Sequence, residues 1–257
     1  MGAIHAGHLS LVDRARAECA TVAASIFVNP LQFGPNEDFE RYPRAFKSDC
    51  AKLAERGVEF VYAPTVDAVY PPGFNRYVDV GEVASRYEGA LRPGHFRGVA
   101  TVVLKLINAT GPDMVFFGQK DAQQCAVVQA MLRDFDVPTG MVVCDTVREP
   151  DGLALSSRNV YLSPEERLAA PSLHAALSAM CDAIEAGTSS RESVIATGRE
   201  RIVLPAQEAY LDAVDSVSFA PLDPIVRPCV VIGSVQLGVT RIIDNIPLQA
   251  RGQEVRF

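Results

Sequence analysis

The chain has 257 residues, long enough to bury a full core in one or two domains. Its hydrophobic content of 48% and charged content of 21% are ordinary for a globular fold, and no apolar run approaches the ~20 residues of a membrane span. A net charge of −7 without a basic stripe argues against bulk nucleic-acid binding, so an anionic substrate must be met by a local cluster of positive groups. The six cysteines (Cys19, Cys50, Cys125, Cys144, Cys181 and Cys229) are scattered without a C-x-x-C pair. That usage, with no signal peptide ahead of the first motif, points to a reducing, cytoplasmic setting and to small buried hydrophobes, not to a disulfide framework or a zinc site.

In chain order, the first motif is Met1-Gly2-Ala3-Ile4-His5-Ala6-Gly7-His8. It heads a predicted helix, because Leu9, Val12, Ala15 and Cys19 follow at helical spacing. The first N–H groups of a helix lack partners and its dipole favours negative charge. Histidine donors there can hold a triphosphate while its α-phosphorus is attacked, with no metal required. Alone, H-x-G-H recurs by chance, and a first-turn histidine is otherwise a solvated surface residue.

Residues 21–28 form an apolar, β-rich run that stops at Asn29-Pro30, which predicts a buried strand. Residues 38–56 read as a polar helix with Gly57 at its cap, 58–63 as a strand, and 78–80 as short and extended. A helix over 98–110, a strand over 114–117, a helix over 122–135 and a strand over 139–145 complete the first part. This alternation predicts a parallel sheet with helices on both faces. The pattern changes near residue 147, after which Glu149-Pro150-Asp151-Gly152 predicts a turn. Ser163-Pro164-Glu165-Glu166 predicts the start of a helix running to Ala186-Gly187. A second helix follows Ser189, and 210–217, 229–236 and 240–245 read as antiparallel strands. The expected domains are therefore residues 1–146 and a smaller α+β domain of residues 147–257.

Four further segments bear on chemistry. Asn29 and Gln32, in Phe27-Val28-Asn29-Pro30-Leu31-Gln32-Phe33, follow a strand end, where open α/β sheets bind ligands and uncharged hydrogen bonds suit a small polar substrate. The plain alternative is a turn. Gly118-Gln119-Lys120-Asp121-Ala122-Gln123-Gln124 pairs a glycine that permits close backbone approach with a mobile cation suited to phosphate, an acid suited to a ribose hydroxyl, and Gln124 on the face of Lys120. The alternative is a solvated helix start with a Lys–Asp pair. Arg92-Pro93-Gly94-His95-Phe96-Arg97-Gly98 reads as a loop that lines a substrate mouth or orders the sheet rim. Leu155-Ser156-Ser157-Arg158 reads either as a flexible loop that folds over phosphates and supplies charge, or as a helix-capping turn.

Taken together, these strings resemble the pantothenate synthetase (pantoate–β-alanine ligase) family over nearly the whole chain. M-G-A-I-H-A-G-H, F-V-N-P-L-Q-F, R-P-G-H-F-R-G-V-A-T-V-V-L-K-L, G-Q-K-D-A-Q-Q, L-S-S-R-N-V-Y-L and G-V-T-R-I-I-D-N occur in family order. The resemblance implies a Rossmann-like nucleotidyltransferase domain, a smaller α+β C-terminal domain acting as a lid, and a homodimer. It implies ATP, pantoate and β-alanine as substrates, with Mg2+ accompanying ATP. Pantoate would be adenylated with release of pyrophosphate, and β-alanine would then expel AMP. Carried over motif by motif, His5 and His8 contact ATP phosphates, with His8 as proton donor. Met1, Gly2 and Gly7 join them, as do Gly118, Gln119, Lys120 and Asp121, with Lys120 at phosphate and Asp121 near ribose. Val147 packs near adenine, and Leu155, Ser156, Ser157 and Arg158 form a phosphate loop. Gln32 and Gln124 hold pantoate, and Gln32 also orients β-alanine. Asp49 is a weakly supported metal-side position whose plain alternative is a solvated helix acid.

Relative to the family pattern, the strand leading into the first motif lies upstream of Met1, and Ala6 replaces a commonly acidic residue. The expectation is that Met1 is an internal methionine of a longer polypeptide. The alternative is a truncated product of low activity. The rival functions are a nucleotidyltransferase that ligates no amine, a class I aminoacyl-tRNA synthetase, which the acidic charge and the want of an anticodon-binding domain disfavour, and an inactive nucleotide-binding remnant.

Overall fold

The computed structural model describes residues 2–34, 39–40, 42 and 44–249. The elements run α1 (Ala6–Glu18), β1 (Ala23–Ser25), α2 (Phe46–Glu55), β2 (Phe60–Tyr62), α3 (Val66–Val69), α4 (Glu88–Leu91), α5 (His95–Thr110), β3 (Met114–Gly118), α6 (Ala122–Asp134) and β4 (Gly140–Cys144). They continue with α7 (Pro164–Ala169), α8 (Ser172–Glu185), α9 (Arg191–Arg199), β5 (Gln207–Val214), β6 (Cys229–Leu237) and β7 (Thr240–Leu248). Short 3-10 turns occupy Pro30–Gln32, Gln119–Asp121 and Ser157–Tyr161. The contacts divide the chain into two units: Met1–Gly118 with Gln123–Cys144, and Gln119–Ala122 with Asp145–Phe257.

In the first unit the strands pair in parallel, β1 with β2 and β3 with β4. In place of one continuous parallel sheet there are two separate pairs, since no described strand bridges them. The apolar packing divides in the same way. Ile4, Val12, Ala24 and Leu53 form one cluster, while Phe96, Val99, Ala100, Val127 and Val128 anchor another. The helix predicted over 38–56 begins at Phe46, and the earlier part of that span falls partly outside the described residues. Gly57 ends that segment at φ +73°, a left-handed conformation that favours glycine.

Helix α5 begins three residues earlier than its pattern predicts, so His95, Phe96 and Arg97 are helical instead of looped. The reason lies in packing: Phe96, Val99 and Ala100 fall on one buried face and extend the apolar stripe to the first turn. The β-branched Thr101 is tolerated because its Oγ1 donates to Arg97 O (2.7 Å) and accepts from Val78 N (3.0 Å).

The second unit carries a three-stranded antiparallel sheet, ordered β5-β6-β7, backed by α8 and α9 around one core that includes Leu173, Leu177, Met180, Val194, Val231 and Leu237. Ser163 starts α7 as predicted, with Ser163 Oγ accepting from Glu166 N while the Glu166 carboxylate accepts from Ser163 N. The single helix expected from there to residue 186 is in fact two. Pro171 lacks an N–H and breaks the ladder between α7 and α8.

No disulfide joins the described cysteines, and four of the six are buried. Burial pushes the Cys181 thiol up to about 12, and burial pushes the Cys229 thiol up to about 11 against the lowering pull of Arg227. These two are inert small hydrophobes. Among the described residues no helix is long and apolar enough to cross a membrane.

Candidate active site

In the first unit, His5 and His8 form the start of α1 together. His5 is the N-cap; its Nδ1 accepts from Gly7 N (3.2 Å), and His8 Nδ1 accepts from His5 N (3.4 Å). The ring centroids lie 4.0 Å apart. This is a capping box built from imidazoles in place of the usual hydroxyl and carboxylate. An Nδ1 that accepts a hydrogen bond carries no proton, so each neutral ring bears its proton on Nε2. The cap thus fixes the tautomer and makes Nε2–H the donor of each ring. Both rings are half-buried, Gly2 is buried and Gly7 half-buried; Met1 lies outside the described residues.

Asp49 is not a solvated helix acid. It is 1% exposed on α2, and its Oδ2 accepts from Ala3 N (3.0 Å) while its Oδ1 accepts from Ile4 N (2.8 Å). Lys52 Nζ donates to Ile4 O (2.7 Å) from the same helix. Both carboxylate oxygens are engaged in holding the backbone just before His5, and no group of three or more His, Cys, Asp or Glu suited to a metal occurs among the described residues.

Gln32 is half-buried at the end of its 3-10 turn, and Asn29 sets its orientation. Asn29 is 2% exposed; its Nδ2 donates to Gln32 Oε1 (3.2 Å) and Gly98 O (3.1 Å). Its Oδ1 accepts from Leu31 N (3.3 Å) and from the Tyr70 hydroxyl (2.8 Å). Burial, with a smaller push from Tyr77, raises the Tyr70 phenol well above its ordinary value, which keeps it a hydroxyl donor. Asn29 therefore supports Gln32. Its signal in the sequence was an asparagine before proline, which reads equally as a strand stop. A cavity of about 420 Å³ opens beside Gln32, bordered by Phe33, Tyr77, Arg92, His95 and Arg97. His95 Nδ1 and Arg92 both bond Gln32 O (2.8 and 3.2 Å), and the Arg97 guanidinium stacks over Tyr77 at 4.2 Å. Gln124 is half-buried in the first turn of α6. The neighbouring Gln123 is buried, and its Nε2 donates to Val83 O and Arg86 O.

Gly118 closes β3, and the chain passes directly into the Gln119–Asp121 turn of the second unit. Lys120 Nζ lies 3.7 Å from Asp121 Oδ1, so the Lys–Asp pair read from the sequence is present. Asn245 on β7 bonds both Gln119 and Lys120. Val147 and Leu155 lie opposite each other on a short hairpin, Leu155 N donating to Val147 O (2.9 Å), with Arg148 bridged to Ala154 beside them. Ser156 Oγ accepts from Arg158 N (3.3 Å) and so caps the 3-10 turn that contains Ser157 and Arg158. The capping reading of this segment is present in the geometry, and it leaves the phosphate-loop reading standing on its residue types.

The comparisons with known proteins agree with this arrangement of motifs. The family described as pantoate-beta-alanine ligase matches residues 1–247. A pantothenate synthetase of Roseiflexus castenholzii is 49% identical over 252 residues, 97% of this chain and 91% of that protein. One from Acidobacterium capsulatum is 49% identical, covering 96% of this chain and 84% of the relative. The crystal structure of the Thermus thermophilus pantothenate synthetase superposes with a TM-score of 0.93 at 47% identity, over 97% of this chain and 91% of that one. The Francisella tularensis pantoate-beta-alanine ligase, solved with beta-gamma ATP and beta-alanine, gives 0.77 at 32% identity, over 96% of this chain and 87% of that one. A histidine-capped helix, a Gln-Lys-Asp turn and likeness over nearly the full length lead to one assignment: the chain belongs to the pantoate–β-alanine ligase family.

Proposed function

We propose that this ligase works through a pantoyl adenylate. A pantoate carboxylate oxygen attacks the α-phosphorus of ATP and pyrophosphate leaves. The amine of β-alanine then attacks the acyl carbon, loses a proton and expels AMP, leaving pantothenate. The observation that carries this reading is the reciprocal cap of His5 and His8, which fixes two Nε2–H donors at a helix N-terminus. Phosphoryl transfer needs neutralised oxygens more than covalent help, and donors held before the reaction cost no reorganisation during it.

In this reading His5 and His8 hold ATP phosphates, His8 serves as proton donor, and Met1, Gly2 and Gly7 complete the loop. Gly118, Gln119, Lys120 and Asp121 bind ATP, Lys120 at phosphate and Asp121 at the ribose. Val147 packs at the adenine, and Leu155, Ser156, Ser157 and Arg158 close on the phosphates. Gln32 and Gln124 hold pantoate without a charge that would over-stabilise the attacking carboxylate. Gln32 also faces β-alanine, and the cationic border of its cavity suits a carboxylate-bearing substrate. Mg2+ enters on ATP, held by phosphate oxygens and water. A homodimer and a cytoplasmic location belong to the same proposal.

The first unit is proposed to be the Rossmann-like domain. The parallel pairing of β1 with β2 and of β3 with β4 supports this.

Pantoate-dependent ATP–pyrophosphate exchange tests the proposal. Exchange that requires pantoate and falls by roughly 10²–10³-fold in His8→Ala and Lys120→Ala is expected. Gln124→Ala should weaken use of pantoate more than of ATP. Exchange independent of pantoate points to a general nucleotidyltransferase, and none in the folded chain points to a remnant.

A further inference from the structure

The G-V-T-R-I-I-D-N motif has no role in the reaction as written above, yet its last two residues are among the most engaged polar groups of the second unit. Asn245 is 2% exposed in the middle of β7, a strand position that disfavours asparagine. Its Nδ2 donates to Gln119 O (2.9 Å) and to Lys120 O (3.0 Å), and its Oδ1 accepts from Gln119 Nε2 (3.2 Å). One side chain therefore satisfies two successive carbonyls of a 3-10 turn and grips a side chain of the same turn. Turn carbonyls away from water need such partners, and a buried amide without them is costly, so each side requires the other.

Asn245 is itself held in place. Its N–H donates to Asp244 Oδ1 (2.8 Å), and its carbonyl accepts from Arg148 Nη2 (3.3 Å). Arg148 in turn grips Asp244 with both terminal nitrogens, at 2.5 and 2.9 Å, and reaches Gly152 O (3.0 Å). Asp244 is 5% exposed, so this bidentate pair is shielded from water and fixes the β7 backbone at the point where Asn245 projects. Arg148 follows Val147 on the hairpin that leads to Leu155.

We infer that Asn245, braced by Asp244 and Arg148, is a positioning residue that sets the backbone of the Gln119–Lys120 turn and, through it, the point from which the Lys120 ammonium reaches phosphate. The inference rests on the proposed phosphate role of Lys120. Lysine is a point charge on a flexible stem, so its direction of approach is decided by where its Cα is anchored. A displacement of about 1 Å at such a group is enough to cost on the order of 100-fold in rate.

A double-mutant cycle in pantoate-dependent ATP–pyrophosphate exchange tests it, using Asn245→Ala, Lys120→Ala and the pair. Asn245→Ala is expected to lower the exchange kcat by roughly 10- to 100-fold, and to lower it less than about twofold further once Lys120 is alanine. Asn245→Ser, which keeps a short polar group, serves as a milder variant should the alanine protein fail to fold. Ser234→Ala is the structural control, because its hydroxyl bonds Ile242 O (3.1 Å) within the same sheet. It should lower the melting temperature and leave kcat unchanged. Full additivity of the two losses, or an Asn245 loss matched by Ser234→Ala at equal loss of stability, overturns the positioning role. An unchanged rate in Lys120→Ala alone overturns the phosphate assignment as well, which separates the two failures.

Discussion

The two units solve the problem of burying apolar surface in different ways. The second unit has one antiparallel sheet in which β6 pairs along its length with both neighbours, and one core on which α8 and α9 pack. The first has two parallel pairs of three and five residue positions, and its apolar side chains divide into separate clusters. Parallel strands normally lie inside a sheet covered on both faces, so short unjoined pairs are the weaker arrangement. The comparison teaches that the histidine-bearing half depends more on neighbours for its rigidity than the half carrying Lys120 and Asn245.

The largest test of that contrast is a matched pair of core truncations. Leu53 and Leu177 are both 0% exposed. Leu177 sits inside the continuous core of the second unit, whose braced sheet has little freedom to collapse onto a void. Leu53 belongs to the small cluster with Ile4, Val12 and Ala24, which has room to relax. Leu→Ala losses run about 2–5 kcal/mol according to how well the site closes. Leu177→Ala should fall near the top of that range and Leu53→Ala near the bottom. Native-state hydrogen exchange resolved by unit reads both losses. Equal losses would mean that the two cores are equally well supported.

Much of the fold was legible because its elements are strongly periodic: α1, α5, α6 and the three C-terminal strands all lie within a few residues of their patterns. The helix over 164–186 was read as continuous because its apolar spacing persists through Pro171, where the missing N–H still divides it. The motifs that point to phosphate chemistry were legible too, as residue types at fixed spacing. Their supports were not. Asp49 reads as one of many helix acids until the fold brings Ala3 and Ile4 over it. Asn29 and Asn245 act through backbone carbonyls, and bonds to main chain 69 or 126 residues away leave no local trace. The imidazole cap was invisible for a different reason, since histidine is not among the residues that signal a helix start.

A second pair of substitutions sharpens the comparison at two glycines. A Cβ on Gly98 would lie 2.3 Å from Leu31 O and 2.6 Å from Leu31 C, both backbone atoms of the turn that carries Gln32. A Cβ on Gly233 would meet only the ends of Leu211, Leu173 and Leu177, at 2.8 to 3.0 Å. Side-chain ends rotate away and backbone does not. Gly233→Ala should cost about 1–3 kcal/mol, and Gly98→Ala as much or more. Only Gly98→Ala should also raise the KM for pantoate, because it pushes the Gln32 turn off α5. A raised pantoate KM in both variants would count against a local cause.

The smallest expected effect is a pH dependence confined to the second unit. Burial on its own would raise the Asp244 carboxyl. The His174 ring, with Nδ1 3.6 Å from Oδ2, the Arg148 guanidinium and the Asn245 N–H together outweigh burial and hold the carboxyl below its ordinary value. A carboxylate with a lowered folded value contributes stability that is fully present above the unfolded value, near 3.8, and is lost as pH falls through the folded one. Wild-type protection of β6 and β7 should therefore decline more steeply below about pH 3.8 than in Asp244→Asn, whose amide has no proton to gain. The first unit serves as the internal reference, since the substitution lies outside it. Identical slopes in the two proteins would mean that the Arg148 pair adds nothing to stability, and that Asp244 serves only to aim Asn245 at the Lys120 turn.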